Sequence, residues 1–184
     1  MSSTSPKGSF VLTRATVRDL PAICDLMYDA FPESARLLFM GCKSKSDLPN
    51  LAEKYKKTMQ EDKSDVWIQI HDSSNGRMVA ASNWRVYVNG EPDDLGDVAP
   101  DWVDAEQKAK SEEVMQSMRE ARIKAMPNPF IRMSNSPKMQ GLELTRVDLH
   151  ICFSSPDYRR QGAGGMMMQW GVDLMDSLFL PGWV

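Results

Sequence analysis

The stretch "LTRVDLHICFSSPDYRRQGAGG", residues 144 to 165, gathers most of the chemistry in this chain. Asp148, His150 and Cys152 come two residues apart. On an extended strand, side chains two apart share a face. The three therefore line one side, and Val147, Leu149, Ile151 and Phe153 the other. A carboxylate beside an imidazole can take a proton from an incoming amine, and free imidazole titrates close to neutral pH. Each also has a plainer role: Asp148 as an ion-pair partner of Arg146 or Arg85, His150 as a hydrogen-bonded, partly buried side chain, and Cys152 as packing.

Pro156 ends this strand, because proline has no N–H to give and pushes Ser155 into an extended conformation. Beyond it, Arg159 and Arg160 stand directly before Gly162, Gly164 and Gly165, and a greasy run follows. Glycines let the backbone turn sharply and approach a ligand. A helix beginning there points unpaired N–H groups outward at a slightly positive end. That arrangement suits a phosphate, and the two guanidiniums add charge-assisted contacts to the same anion. Two known phosphate motifs do not fit. There is no Gly-Lys-Ser/Thr for a P-loop, and Met167 stands where a GxGxxG begun at Gly162 requires glycine.

Several elements must position these residues. "FVLTRA" (residues 10–15) reads as a strand. From Val17, apolar residues at Leu20, Ile23, Cys24, Met27, Ala30 and Phe31 recur at helical steps until Pro32. A second helix is expected over Leu48 to Glu61, with Asp47 as N-cap and Pro49 in its first turn. "DVWIQIH" (65–71) and "MVAASNWRVYV" (78–88) form a hairpin around Asn75-Gly76. The final "GGMMMQWGVDLMDSLFL" is apolar almost all round and reads as a buried helix behind the glycine loop.

The stretch from 89 to 140 reads as an insertion. Seven acids, Glu91, Asp93, Asp94, Asp97, Asp101, Asp104 and Glu106, precede Lys108. A helix is expected over 101–125 until "PNPF" breaks it, and "SNSP" (134–137) closes the insertion as a loop. Such an acidic patch could attract a cationic amine or simply be a solvated surface. The 184 residues, 26% of them charged, suit one domain over 10–184 with a flexible tail at 1–9. A formal charge of −3 gives no basic field for nucleic acid. Three widely spaced cysteines imply neither a zinc site nor a disulfide framework, and no run is apolar enough for a membrane span. A cytoplasmic or nuclear protein with reduced thiols, without nucleic-acid or membrane partners, is the expectation.

"RRQGAG", Arg159 to Gly164, fits the R/Q-x-x-G-x-G/A signature of the GCN5-related N-acetyltransferases. The order strand, two helices, hairpin, strand, glycine loop, helix resembles that superfamily over most of the chain. The resemblance implies an α/β (α+β) fold with a central mixed, mostly antiparallel sheet flanked by helices. It implies acetyl-CoA as co-substrate, no metal, and direct transfer of the acetyl group to a primary amine of a small molecule. Backbone groups of Phe153 and Ser154 would bind the pantetheine arm. The loop Arg159, Arg160, Gln161, Gly162, Ala163, Gly164 and Gly165 would hold the pyrophosphate, with Arg160 reaching the adenosine end. Asp148 stands eleven residues before Arg159, where some members keep a general base. His150 is the second candidate.

Members of that superfamily continue past a fifth strand, whereas Trp183 and Val184 look like its opening. Truncated C-terminal strands would leave the fourth strand with a bare edge, which a homodimer could cover. The alternative to an enzyme is a silent acyl-CoA-binding or protein-interaction module that keeps the loop without turnover.

Overall fold

The computed structural model describes residues 9–88, 100, 102–125 and 145–183. Its elements are β1 (Phe10–Arg14), α1 (Leu20–Ala30), α2 (Glu33–Ala35), α3 (Leu48–Glu61), β2 (Asp65–Asp72), β3 (Met78–Tyr87), α4 (Ala105–Ala125), β4 (Arg146–Ser154), α5 (Ala163–Leu178) and β5 (Gly182–Trp183). The expected helix over Leu48–Glu61 and the start of the hairpin strands at 65 and 78 match. The expectations on the tail at 1–8, on the acids Glu91, Asp93, Asp94, Asp97 and Asp101, and on "PNPF" and "SNSP" lie outside the described residues.

The strands form one sheet in the order β1-β2-β3-β4-β5. The first three pairings are antiparallel, and β4 and β5 run parallel at Val147↔Gly182 and Asp148↔Trp183. Helices α1 and α3 cover one face. There Leu20, Ile23, Cys24, Met27 and Leu51 pack with Trp67, Ala81 and Phe153. Helix α5 covers the other, with Ala163 and Met167 against Ile68, Ile70, Trp84 and Val147. A sheet buried on both faces explains why β2 is closed to solvent at nearly every position rather than at alternate ones.

Pro32 does end the first helix, as expected of a residue that cannot donate. It also opens α2, which continues without a break into a π-helical turn over Arg36–Met40. Such wide turns leave carbonyls without their usual partners. The amide Nε2 of Gln107, in α4, donates to Leu37 O at 2.9 Å, and the indole Nε1 of Trp102 donates to Gly41 O at 3.0 Å. The insertion is thereby fastened to this wall.

Two expectations about helix ends need correction. Asp47 precedes α3, but its carboxylate turns back to accept from the N–H groups of Lys43 and Ser44, at 2.9 Å each, in a capping box. Helix α5 is buried along one side only. Met167 and Gly171 are enclosed, whereas Val172, Leu178 and Phe179 are exposed. Gly171 is required by packing: a Cβ there would collide with the Trp84 ring.

Candidate active site

Strand β4 does not keep the simple alternation that its sequence suggests. Asn83 pairs with Ile151 and the next residue, Trp84, pairs with Leu149, so His150 is the extra residue of a β-bulge. The bulge exchanges faces. Val147 and Leu149 pack toward α5 before it, and Cys152 does so after it. Ile151 and Phe153 instead join the core under α1 and α3. The expected four-residue apolar stripe is thus split between two cores, and Cys152 leaves the side of Asp148. Burial holds the Cys152 thiol above its usual range, which favours the unreactive thiol form.

Asp148 is fully buried and sits in a row of alternating charge across three strands: Asp65, Arg85 and Asp148 are successive cross-strand neighbours. Arg146 Nε donates to Asp148 Oδ2 at 2.7 Å, with both side chains almost closed to solvent. The Arg146 guanidinium also lies 4.9 Å from the centre of the Tyr87 ring. Arg85 bonds Asp62 and stands 3.2 Å from Asp65. Asn83 Nδ2 donates to Asp65 Oδ1 at 2.8 Å. Burial pushes the Asp65 carboxyl above its ordinary range, while Arg85, the Asn83 amide and His150 pull it back. His150 is half-buried at the bulge.

The pairing of Asp148 with Arg146 is one the sequence suggests, and Arg85 stands opposite Asp148 on β3. The sequence does not join Asp62, Asp65 and Asn83 to this pair, because only strand pairing brings 62–65, 83–87 and 146–150 together.

The loop after β4 is built as its glycines suggest. Ser155 N donates to Val79 O at 2.8 Å and holds the end of the strand, and residues Pro156–Tyr158 make one turn of 3₁₀ helix. Arg160 then takes φ 61°, and Gly162 takes φ 104°, a region L side chains rarely enter. The first hydrogen bond of α5 runs from Met166 N to Gly162 O. The N–H groups of Ala163, Gly164 and Gly165 therefore precede the helix ladder. Beyond its own chain neighbours and the helix backbone, a Cβ at Gly162, Gly164 or Gly165 would meet no described heavy atom within 4 Å.

The two arginines differ. Arg159 Nη2 donates to Ala30 O at 3.0 Å, tying the loop to the end of α1. Arg160 is exposed and makes no hydrogen bond or ion pair among the described residues. Gln161 Nε2 donates to Asp157 O at 3.1 Å, which fixes the loop rather than freeing the amide. Phe153 is buried and Ser154 half-buried on the last residues of β4. Within the described residues β5 covers only Val147 and Asp148, so residues 149–154 face no strand on that side.

Of the seven acids that precede Lys108 in the insertion, Asp104 and Glu106 are described. The backbone N–H of Gln107 and the Lys43 ammonium hold the Asp104 carboxyl below its usual range. Both acids line a pocket of about 440 Å³ with Glu33, Leu37, Lys43, Gln107 and Lys110. Among the described residues no helix is long and apolar enough to cross a membrane, and no group of three or more His, Cys, Asp or Glu is placed to hold a metal ion.

No family model and no curated protein matches this chain. Solved structures do. A transcriptional regulator from Bacillus halodurans C-125 is similar over 96% of this chain and 81% of its own, with a TM-score of 0.54 and 12% identity. A possible acetyltransferase from Clostridium difficile 630 is similar over 95% of this chain and 76% of its own, with a TM-score of 0.50 and 11% identity. The chain shares the fold of these structures, a mixed and mostly antiparallel sheet flanked by helices, as the sequence resemblance implied. At this identity the likeness concerns architecture, and the chemistry has to be argued from the side chains.

Proposed function

We propose that the protein is an acetyl-CoA-dependent N-acetyltransferase that moves the acetyl group to a primary amine of a small molecule. The observation that carries this is the loop from Arg159 to Gly165, with its left-handed turns at Arg160 and Gly162, open glycines and free helix-start N–H groups. Such a loop would suit an anion through backbone contacts, and it continues a strand edge that no described strand covers beyond Asp148. Phe153 and Ser154 would meet the pantetheine arm along that edge. Residues Arg159, Arg160, Gln161, Gly162, Ala163, Gly164 and Gly165 would hold the pyrophosphate, Arg160 supplying the free charge and Arg159 mainly its backbone.

In the reaction the amine nitrogen bonds the acetyl carbon, the thioester C–S bond breaks, and coenzyme A leaves with the electron pair. The acceptor arrives as an ammonium and must first lose a proton. His150, half-exposed at the bulge, is the better placed of the two candidates to take it. Asp148 is engaged in the interior with Arg146, two residues before it on the same strand, and is closed to solvent.

Calorimetric titration of acetyl-CoA into the chain, repeated with Arg160→Glu, tests the cradle, and thiol release with a panel of amines tests turnover. Micromolar affinity weakened by the charge reversal, together with thiol release, is the expected outcome. Binding without release from any amine would leave the silent acyl-CoA module, and no binding would overturn both.

A further inference from the structure

The proposed anion loop has a backbone shape that something outside it must maintain. Arg160 carries its side chain at φ 61°, and Gly162 follows at φ 104°. A non-glycine residue in the left-handed region persists only where its surroundings fix it. Two grips lie directly before Arg160. The Arg159 side chain is fastened to the end of α1 at Ala30 O. Tyr158, one residue earlier, is fastened to the tip of the β2–β3 hairpin.

Tyr158 reaches across the end of the sheet. Asn75 Nδ2 donates to its hydroxyl oxygen at 3.1 Å, over a sequence separation of 83 residues. Its ring stands 6.3 Å from that of Phe10 at the start of β1, tilted by 56°, and the Arg77 guanidinium lies 5.6 Å from its centre. Arg77 is also 3.5 Å from the Asp157 carboxylate, but both side chains are exposed and such a pair contributes little. The directed contact between tip and loop is therefore the Asn75–Tyr158 bond.

The tip itself is firmly built. Asp72 Oδ1 accepts from the N–H and the hydroxyl of Ser74, at 2.9 and 2.6 Å, and its Oδ2 accepts from Asn75 Nδ2 at 3.2 Å. Asn75 Oδ1 in turn accepts from Arg77 N at 2.8 Å. Ser74 holds the Asp72 carboxyl below its usual range, and Tyr158 and Asn75 add to that. The turn takes its left-handed step at Gly76, with φ 71°, so the Asn75 side chain is not spent on the backbone of the turn. Its amide nitrogen is shared between Asp72 and Tyr158.

We propose that the tip of the β2–β3 hairpin positions the loop through Tyr158, with Asn75 and Tyr158 as positioning residues that set the affinity for acetyl-CoA without touching it. This rests on the N-acetyltransferase reading. The N–H groups from Arg160 to Gly165 form one array only while both left-handed turns are held. A loop free to leave that shape binds in proportion to the fraction that keeps it. The thioester is at the other end of the co-substrate from its pyrophosphate, so the effect falls on binding rather than on transfer.

Tyr158→Phe keeps the ring and removes the hydroxyl, and Asn75→Ala removes the donor while Gly76 still makes the turn. Each is expected to weaken acetyl-CoA binding about three- to tenfold by calorimetry, the range that one lost hydrogen bond carries. The KM for acetyl-CoA should rise by the same factor with kcat unchanged, and the double variant should bind no more weakly than Asn75→Ala alone. Without ligand, the backbone amide resonances of Arg160 to Gly165 are expected to move in both variants. Ser73→Ala, exposed on the same turn, should leave them in place.

Loop amides that stay fixed in both variants would overturn the proposal, as would affinity losses that simply add. A lower Tm with acetyl-CoA affinity intact would overturn it too, because the anchor would then be structural only. Wild-type protein that binds no acetyl-CoA would sink the N-acetyltransferase reading by itself, and the coupling of hairpin to loop is then decided by the amides.

Discussion

One chemical change, glycine to alanine, has opposite consequences at two positions of the proposed anion loop only two residues apart. Gly162 sits at φ 104° with ψ −6°. A Cβ meets no neighbour there, so the cost of Gly162→Ala is one of backbone conformation alone. Holding an L residue in the left-handed region costs roughly 1–2 kcal/mol. For a domain of this size that corresponds to a fall in Tm of about 2–8 °C. Gly164 lies inside the first turn of α5, also with nothing within 4 Å of the added carbon. Alanine in a helix is favoured over glycine by about 0.5–1 kcal/mol, so Gly164→Ala should raise Tm by about 1–4 °C.

The binding expectations differ as well. Gly162→Ala must either strain the loop or let it move, so acetyl-CoA affinity is expected to drop about tenfold, the equivalent of the same strain. Gly164→Ala leaves the N–H groups where they are and should bind within a few-fold of wild type. Thermal unfolding followed by circular dichroism, and calorimetric titration of acetyl-CoA, give the two readouts. Tm shifts of the same sign in both variants would refute the backbone argument. A destabilised Gly162→Ala that still binds acetyl-CoA with wild-type affinity would refute the assignment of the loop as the anion site.

Other outcomes follow from the packing and the buried charges. Gly171→Ala drives a carbon into the Trp84 ring and is expected to cost about 1–3 kcal/mol in urea unfolding; an unchanged midpoint would mean that α5 is free to shift. Asp148→Ala removes the buried carboxylate that accepts from Arg146 Nε and should cost about 3–5 kcal/mol by the same measurement. Burial raises the Asp65 carboxyl above its unfolded value, so the fold favours the protonated form. That contribution is present below the unfolded pKa, about 3.9, and is lost as pH rises through the folded value. The stability of wild type relative to Asp65→Asn is therefore expected to fall as pH rises above about 4, and a difference that rises instead would reverse the assignment.

Local signals were legible and long-range ones were not. Asn75-Gly76 fixes where β2 turns into β3, because few residues suit that turn. Leu48 to Glu61 shows a helix with proline where the missing N–H is harmless. The glycine loop could be read from residue types alone, since Gly162 and the helix start impose their geometry locally. The bulge left no trace. Val147 to Phe153 alternates without a break in the sequence, and the extra residue is defined only by pairing with β3. The π-helical turn at Arg36–Met40 likewise depends on Gln107 and Trp102, distant in sequence. The acids at Asp62 and Asp65 gain meaning only when Arg85 and Arg146 are brought beside them.

The bulge at His150 also sets how this chain can tolerate change in its length. Leu149 and Ile151 stand opposite consecutive residues of β3, so His150 is one residue more than a regular ladder needs. Deleting it would close the ladder with Ile151 and Phe153 still toward the α1–α3 core and Cys152 still toward α5. A residue added between Ile151 and Phe153 has no such slack, because it would turn Phe153 from the α1–α3 core to the α5 side. The strand is therefore built to survive the loss of one residue at the bulge far better than the gain of one beyond it.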